Sequence, residues 1–86
     1  MFKVHLVSIS DKVLHDGRAE SVVLPGVVGE FEIQDLHVPI VSLLKSGEII
    51  IRSTIRQASS ELSFKSLVIQ QGLMRFDGKE LYAVVE

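Results

Sequence analysis

The sequence predicts an all-β fold, a small two-sheet β-sandwich or flattened barrel of about eight to ten short strands. Three observations predict it. Apolar and polar residues alternate with a period of two in several stretches. Turn-forming residues recur at roughly 8–13-residue spacing, the rhythm of a sandwich. No stretch carries the 3.6-residue period of a long amphipathic helix.

The first element is "FKVHL". Phe2, Val4 and Leu6 fall on one side and Lys3 and His5 on the other, the pattern of a half-buried strand. Asp16-Gly17 then reads as a turn. "SVVLP", Ser21–Pro25, reads as a strand that ends in the Pro25-Gly26 turn, with Gly29 as further punctuation. "PIVSLLKSG", Pro39–Gly47, fits a short helix with Pro at its start and Gly past its end. A strand is preferred there because both neighbours are strands. "GEIIIRSTI", Gly47–Ile55, is the next strand, and Ser59-Ser60 the next turn. Leu62 and Phe64 alternate with Glu61, Ser63 and Lys65, which puts Leu62 and Phe64 on a buried side. Gly72 marks another turn. "LYAVV", Leu81–Val85, reads as a strand apolar on both faces. Asp77-Gly78, between "LMRF" and "LYAVV", is the strongest hairpin signal, of type I′ with two positive-φ residues.

With 86 residues the expected organisation is one domain, residues 1–86. A chain of this size buries only about 60–65% of its unfolded surface. Its 47% hydrophobic content is enough for a core and argues against disorder. A net charge of −2 offers no bulk attraction to nucleic acid. The basic residues Lys45, Arg52, Arg56 and Lys65 are scattered, without interleaved aromatics. There is no cysteine, hence no disulfide framework and no thiolate metal site. No apolar run approaches the ~18 residues of a membrane span. The N-terminus lacks the apolar block of a signal peptide, so a soluble, intracellular chain is expected.

The candidates for chemistry are few. His5, His15 and His37 are the only imidazoles. His5 and His15 lie on strand-like segments, where a structural role is the simpler reading. No Gly-x-Ser-x-Gly elbow and no His-x-x-x-His pair occurs. Glu30, Glu32 and Asp35 surround His37 in sequence, but their spacing matches no ligand pattern. "LPGVVGE" has two glycines three apart without the Lys-Ser/Thr of a phosphate loop. The expectation is no catalytic residue, no metal and no cofactor. Such domains act by presenting a surface.

The order of motifs resembles a known family. "VHLVS", "VLHDGRAESVVLPG", "GEFEIQDLHVPIVSLLKSGEI" and "QQGLMRFDGKELYAVV" follow, in sequence, the N-terminal β-sandwich domain of the epsilon subunit of F-type rotary ATP synthases. The stretch from Gly29-Glu30-Phe31 to Gly47, with its His37-x-Pro39, carries the resemblance most specifically. It implies a non-catalytic central-stalk subunit that couples c-ring rotation to gamma during proton- or sodium-driven ATP synthesis. The implied partners are gamma and the c-ring, with the membrane reached only through the ring. The implied location is peripheral, at the cytoplasmic face of the bacterial inner membrane. Implied subunit-interface residues are Glu30 toward the c-ring loops, His37 and Pro39 near gamma and the ring, Ser42 on the following strand, and Gln70 beside Gln71. Longer family members continue into a C-terminal helical hairpin. The expectation here is a chain without that domain and without its inhibitory or nucleotide-binding roles.

The sequence departs from the family where glycine or a turn residue is usual, at Glu32, at Asp35-Leu36 and at Gln71, which predicts altered backbone angles there. The 52–61 connection is expected to be longer than usual. Two other readings compete: a free-standing β-sandwich binding module, and a small enzyme using His37 with Asp35 or Glu30.

Overall fold

The computed structural model describes residues 1–55 and 61–86. Nine strands occur among them, in the order β1 (Phe2–Ser8), β2 (Val13–Ala19), β3 (Ser21–Pro25), β4 (Glu30–Gln34), β5 (Ile40–Leu44), β6 (Gly47–Ile55), β7 (Glu61–Ile69), β8 (Gly72–Phe76) and β9 (Glu80–Val85). They form a five-stranded sheet, β2-β1-β9-β8-β5, and a four-stranded sheet, β4-β3-β6-β7. The expected all-β sandwich is borne out, and Pro39–Gly47 contributes a strand rather than a helix. The Ser59-Ser60 turn and the middle of the 52–61 connection lie outside the described residues.

Alternation builds the core. Phe2, Val4 and Leu6 of β1 turn inward and are buried. They meet Val22 and Leu24 of β3, Ile49 and Ile51 of β6, and Met74 and Phe76 of β8 in one cluster. Phe2 and Phe76 pack edge to face, 5.4 Å between ring centroids. The pairs are antiparallel except β1 with β9, which run parallel. The first and last strands therefore sit side by side at the centre of the larger sheet.

The sheets join at one end. The Gly26–Leu44 bridge links β3 to β5, flanked by Val27 N–H donating to Leu43 O at 3.0 Å and Lys45 N–H to Pro25 O at 2.9 Å. This half-closes the sandwich into a flattened barrel. Gly26 is obligatory at the junction, because a Cβ there would lie 2.7 Å from Gly29 O and 2.8 Å from the Phe31 ring.

Four details differ from the sequence expectation. Asp16-Gly17 lies inside β2, paired with His5 and Val4, and is not a turn. The reversal falls earlier, at Ser8–Lys12, where Asp11 takes φ +66° and Lys12 O accepts from Ser8 N–H. A glycine is tolerated in β2 because β2 is an edge strand. In β7 the parity is reversed. Leu67 and Ile69 pack inward, so Lys65 shares their side and Phe64 points outward, 62% exposed. "LYAVV" is buried on one face only: Leu81, Ala83 and Val85 are covered, while Val84 is 45% exposed. The β8–β9 hairpin is present, but its central residues are Gly78-Lys79. Only Gly78 has positive φ, +100°, which is the pattern of type II′ rather than I′. Asp77 Oδ1 accepts N–H bonds from Lys79 (2.9 Å) and Glu80 (2.8 Å), and these bonds hold its carboxyl below the usual range.

The positions that lack a glycine or turn residue divide. Leu36 keeps a left-handed backbone, φ +69°, despite its side chain. Glu32 lies within β4 and shows no positive φ, nor does Gln71. The altered angles predicted for Asp35-Leu36 are thus not found at Leu36.

Candidate functional site

The proposed interface residues spread along the edge where β4 and β5 lie over one another, with one exception. Glu30 opens β4 at the end of the sandwich closed by Gly26. Ser42, in the middle of β5, pairs with Met74. Glu30 and Ser42 line one groove of about 460 Å³ with Gly26, Val28 and Phe31. His37 and Pro39 occupy the β4–β5 connection, at the opposite end. The His37 N–H donates to Gln34 O at 3.1 Å, its Nδ1 lies 2.6 Å from Val38 O, and its ring meets Phe76 edge-on at 6.1 Å. Pro39 faces Phe76 and Asp77 across a second groove. Gln70 stands apart in the β7–β8 turn, its N–H donating to Glu86 O at 2.6 Å.

Among the described residues no reacting constellation forms around His37. Asp35 is engaged by the N-terminal ammonium at 2.7 Å. Glu30 is a strand length away from His37. Among the described residues no group of three or more His, Asp or Glu side chains could hold a metal ion.

The larger feature is on the outer face of the five-stranded sheet. Strand register aligns Val13, Val7, Val84, Leu73 and Leu43 in one row across all five strands. Four of them stand well out in solvent: Val13 63%, Val84 45%, Leu73 49% and Leu43 62% exposed. Ile9 and Val27 extend the row around the closed end, where a shallow groove of about 610 Å³ lies between Ile9, Val27, Leu43, Leu73 and Val84. Gln71 and Glu86, hydrogen-bonded to each other, sit at its rim.

Beside this row runs a polar one: Asp16, His5, Tyr82, Arg75. His5 Nδ1 lies 3.1 Å from Asp16 Oδ1 and Nε2 3.3 Å from Glu80 Oε1. The His5 ring stacks on Tyr82 at 4.9 Å, and the Arg75 guanidinium lies 5.0 Å from the Tyr82 ring centroid. The Tyr82 hydroxyl donates to Glu80 at 2.8 Å. That bond, with His5 next, lowers the Glu80 pKa, and the same bond raises that of Tyr82. The two rows give this face an apolar band with a satisfied polar margin, which is the anatomy of a protein-binding surface.

Sequence reasoning missed this band. The signal was present in "LYAVV". A strand apolar on both faces needs both faces covered, and here the chain covers only one.

Comparison with known proteins agrees with the architecture. The family described as ATP synthase, Delta/Epsilon chain, beta-sandwich domain matches over residues 1–86. The chain is 31% identical over 85 residues to an ATP synthase epsilon chain of Chlorobium limicola, covering 99% of this chain and 89% of that one. It is 34% identical over 74 residues to an ATP synthase epsilon chain of Sulfurimonas denitrificans, covering 86% of this chain but only 52% of the relative. In structure it superposes on a chain of the central stalk and c-ring of the Tetrahymena thermophila mitochondrial ATP synthase with a TM-score of 0.72, at 15% identity, over 98% of this chain and 62% of that one. That likeness is one of fold. Strand pattern, motif order and these matches converge: the chain belongs to the β-sandwich domain family of the ATP synthase delta and epsilon chains.

Proposed function

We infer that residues 1–86 act as one domain, a non-catalytic element of the ATP synthase central stalk that couples c-ring rotation to gamma during proton- or sodium-driven synthesis. The observation that carries this reading is the exposed apolar row on the five-stranded sheet. A soluble monomer rarely leaves so contiguous an apolar band uncovered. Gamma is its proposed partner. The end that bears Glu30, Val28 and Gln70 is proposed to face the c-ring loops. His37 and Pro39, with Ser42 on the next strand, are proposed to border gamma along the β4–β5 edge. Membrane contact is then indirect, through the ring, at the cytoplasmic face of the bacterial inner membrane.

Torque transmission suits this construction. A closed, densely packed interior deforms little under load, and the Gly26–Leu44 junction ties the two sheets together at the proposed ring-facing end.

The test is co-purification of the chain with gamma and the c-ring. Retention by gamma, with loss of solvent accessibility at Leu43, Leu73 and Val84, is the expected result. A well-folded chain that never associates with gamma sinks the reading. One observation favours a free-standing binding module instead, the groove between Leu43, Leu73 and Val84. That reading gains if a small apolar ligand perturbs those methyl groups while gamma leaves them accessible. The one tyrosine is already stacked between His5 and Arg75, so it offers no free platform for a sugar.

A further inference from the structure

We propose that His15 makes the seam between β2 and β7 an acid-sensitive latch. The inference concerns the edge of the sandwich opposite β4 and β5 and does not depend on what docks on the outer face.

The seam is closed by side chains that reach across the sheets. A β-bulge between Leu6 and Val7 leaves Leu14 as the extra residue of β2, because Val13 pairs with Val7 and His15 with Leu6. The bulge frees the Leu14 carbonyl, which accepts from Lys65 Nζ of β7 at 2.8 Å. Ser53 Oγ of β6 donates to Arg18 O at 3.3 Å. Between these two anchors lies His15. It pairs with inward-facing Leu6, so its ring turns toward the seam and not toward the outer face.

Its surroundings suit only the neutral ring. Among the described residues, His15 Nε2 is buried without a hydrogen-bond partner. From β7 it faces the Lys65 ammonium. From β1 it faces the apolar Leu6. On β2 itself its neighbours are Gly17, where an added Cβ would lie 3.4 Å from His15 Nε2 in ordinary contact, and Asp16. Asp16 is the natural counter-ion, but its carboxylate is turned to the other side of the sheet, 3.1 Å from His5 Nδ1. From β6, Ser53 spends its hydroxyl proton on Arg18 O. A protonated His15 therefore adds a second cation beside Lys65 and a buried N–H without an acceptor, a costly combination.

The direction of the effect follows. Burial first, and Lys65 second, push the His15 pKa below its ordinary 6.5, with Asp16 opposing. Once β2 swings from β7, water reaches the ring and its pKa returns toward that ordinary value. The open form thus binds the proton better, so acid favours opening. The effect is absent well above pH 6.5, grows as pH falls through it, and levels off below the depressed value of the closed form. Val13, at the end of the apolar row, moves with β2 when the seam opens.

Amide hydrogen exchange on the whole chain, read by NMR from pH 8 to pH 5 and corrected for intrinsic rates, tests this. Protection of the β2 amides that bond β1 is expected to fall selectively below neutrality, by up to about tenfold per pH unit. Protection in β8 and β9 is expected to hold. His15→Gln is expected to remove the selective fall while leaving β2 protection at pH 8 close to wild type. Lys65→Met is expected to lower β2 protection already at pH 8. In the wild-type chain, the His15 imidazole is expected to titrate below its ordinary 6.5. The proposal is overturned if β2 and β8 lose protection together, if His15→Gln keeps the wild-type slope, or if His15 titrates at or above its ordinary 6.5.

Discussion

On the outer face of the five-stranded sheet, Val13, Val84, Leu73 and Leu43 stand in one row and remain in solvent. On the outer face of the four-stranded sheet, the row Glu32, Val23, Ile50, Ser66 and the row Gln34, Ser21, Arg52, Phe64 occupy comparable positions. There the long polar side chains close over the surface. Arg52 Nη1 pairs with Glu32 at 3.2 Å, its guanidinium lies 5.7 Å from the Phe64 ring centroid, and Val23 is left only 9% exposed. Phe64, 62% exposed, and Val68, 78% exposed, remain in solvent at the β7 edge, separated by Ser66 and not joined into a row across the sheet. Both faces are thus built on hydrophobic strand residues, but only one is finished by its own chain. The unfinished face is where a partner adds most, because apolar area leaving water contributes about 25 cal/mol per Å².

Four changes sharpen or break this comparison. The largest effect is expected from Leu43→Asp combined with Leu73→Asp. Two charges on adjacent strands at the β8–β5 end of the apolar row should weaken gamma retention more than 100-fold, about 3 kcal/mol or more. The unfolding midpoint should shift by only a few degrees, since both side chains already face solvent. Undiminished binding, measured by co-purification or titration calorimetry, would break the contrast between the faces.

Next is Leu36→Gly, in the connection that carries the chain from the polar-faced sheet to the apolar-faced one. Leu36 holds φ +69° and is 96% exposed. A left-handed non-glycine residue costs about 1–2 kcal/mol, partly offset by glycine's greater freedom in the unfolded chain. A net gain of up to about 1 kcal/mol should appear in urea unfolding. A loss would mean that Leu36 makes stabilising contacts not evident in its exposure.

Arg52→Ala probes the finished face. The Arg52–Glu32 pair is partly exposed, so its removal should cost less than about 1 kcal/mol of stability. Gamma binding should stay within twofold of wild type. The smallest effect is expected from Glu30→Gln, an exposed charge at the rim. It should chiefly reduce the salt dependence of assembly with the c-ring and leave its affinity nearly unchanged. A large affinity loss would move the main contact from the apolar row to this end.

Much of the fold was legible because alternation is a local property. Phe2, Val4 and Leu6 announce which way β1 faces without reference to any other strand. Other features were misread for equally physical reasons. Asp16-Gly17 has turn chemistry, yet pairing with His5 and Val4 keeps it extended. Phe64 looks like the buried residue of its stretch, yet Leu67 and Ile69 anchor β7 in the opposite parity and leave Lys65 facing the seam. The site was less legible than the fold. Glu30 and Ser42 are brought to one groove that Gln70 does not line, and the apolar row combines residues from five separate strands.

The sequence by itself determined the strand content, the inward face of β1 and, through motif order, the family. Those depend on periodicity and on the chain's own order. The tertiary structure alone decided which strands are neighbours, that β1 and β9 run in parallel at the centre of a sheet, and that the second apolar side of "LYAVV" lies open. Strand pairing is a long-range choice, and a residue's two possible faces become inside and outside only when a second sheet covers one of them.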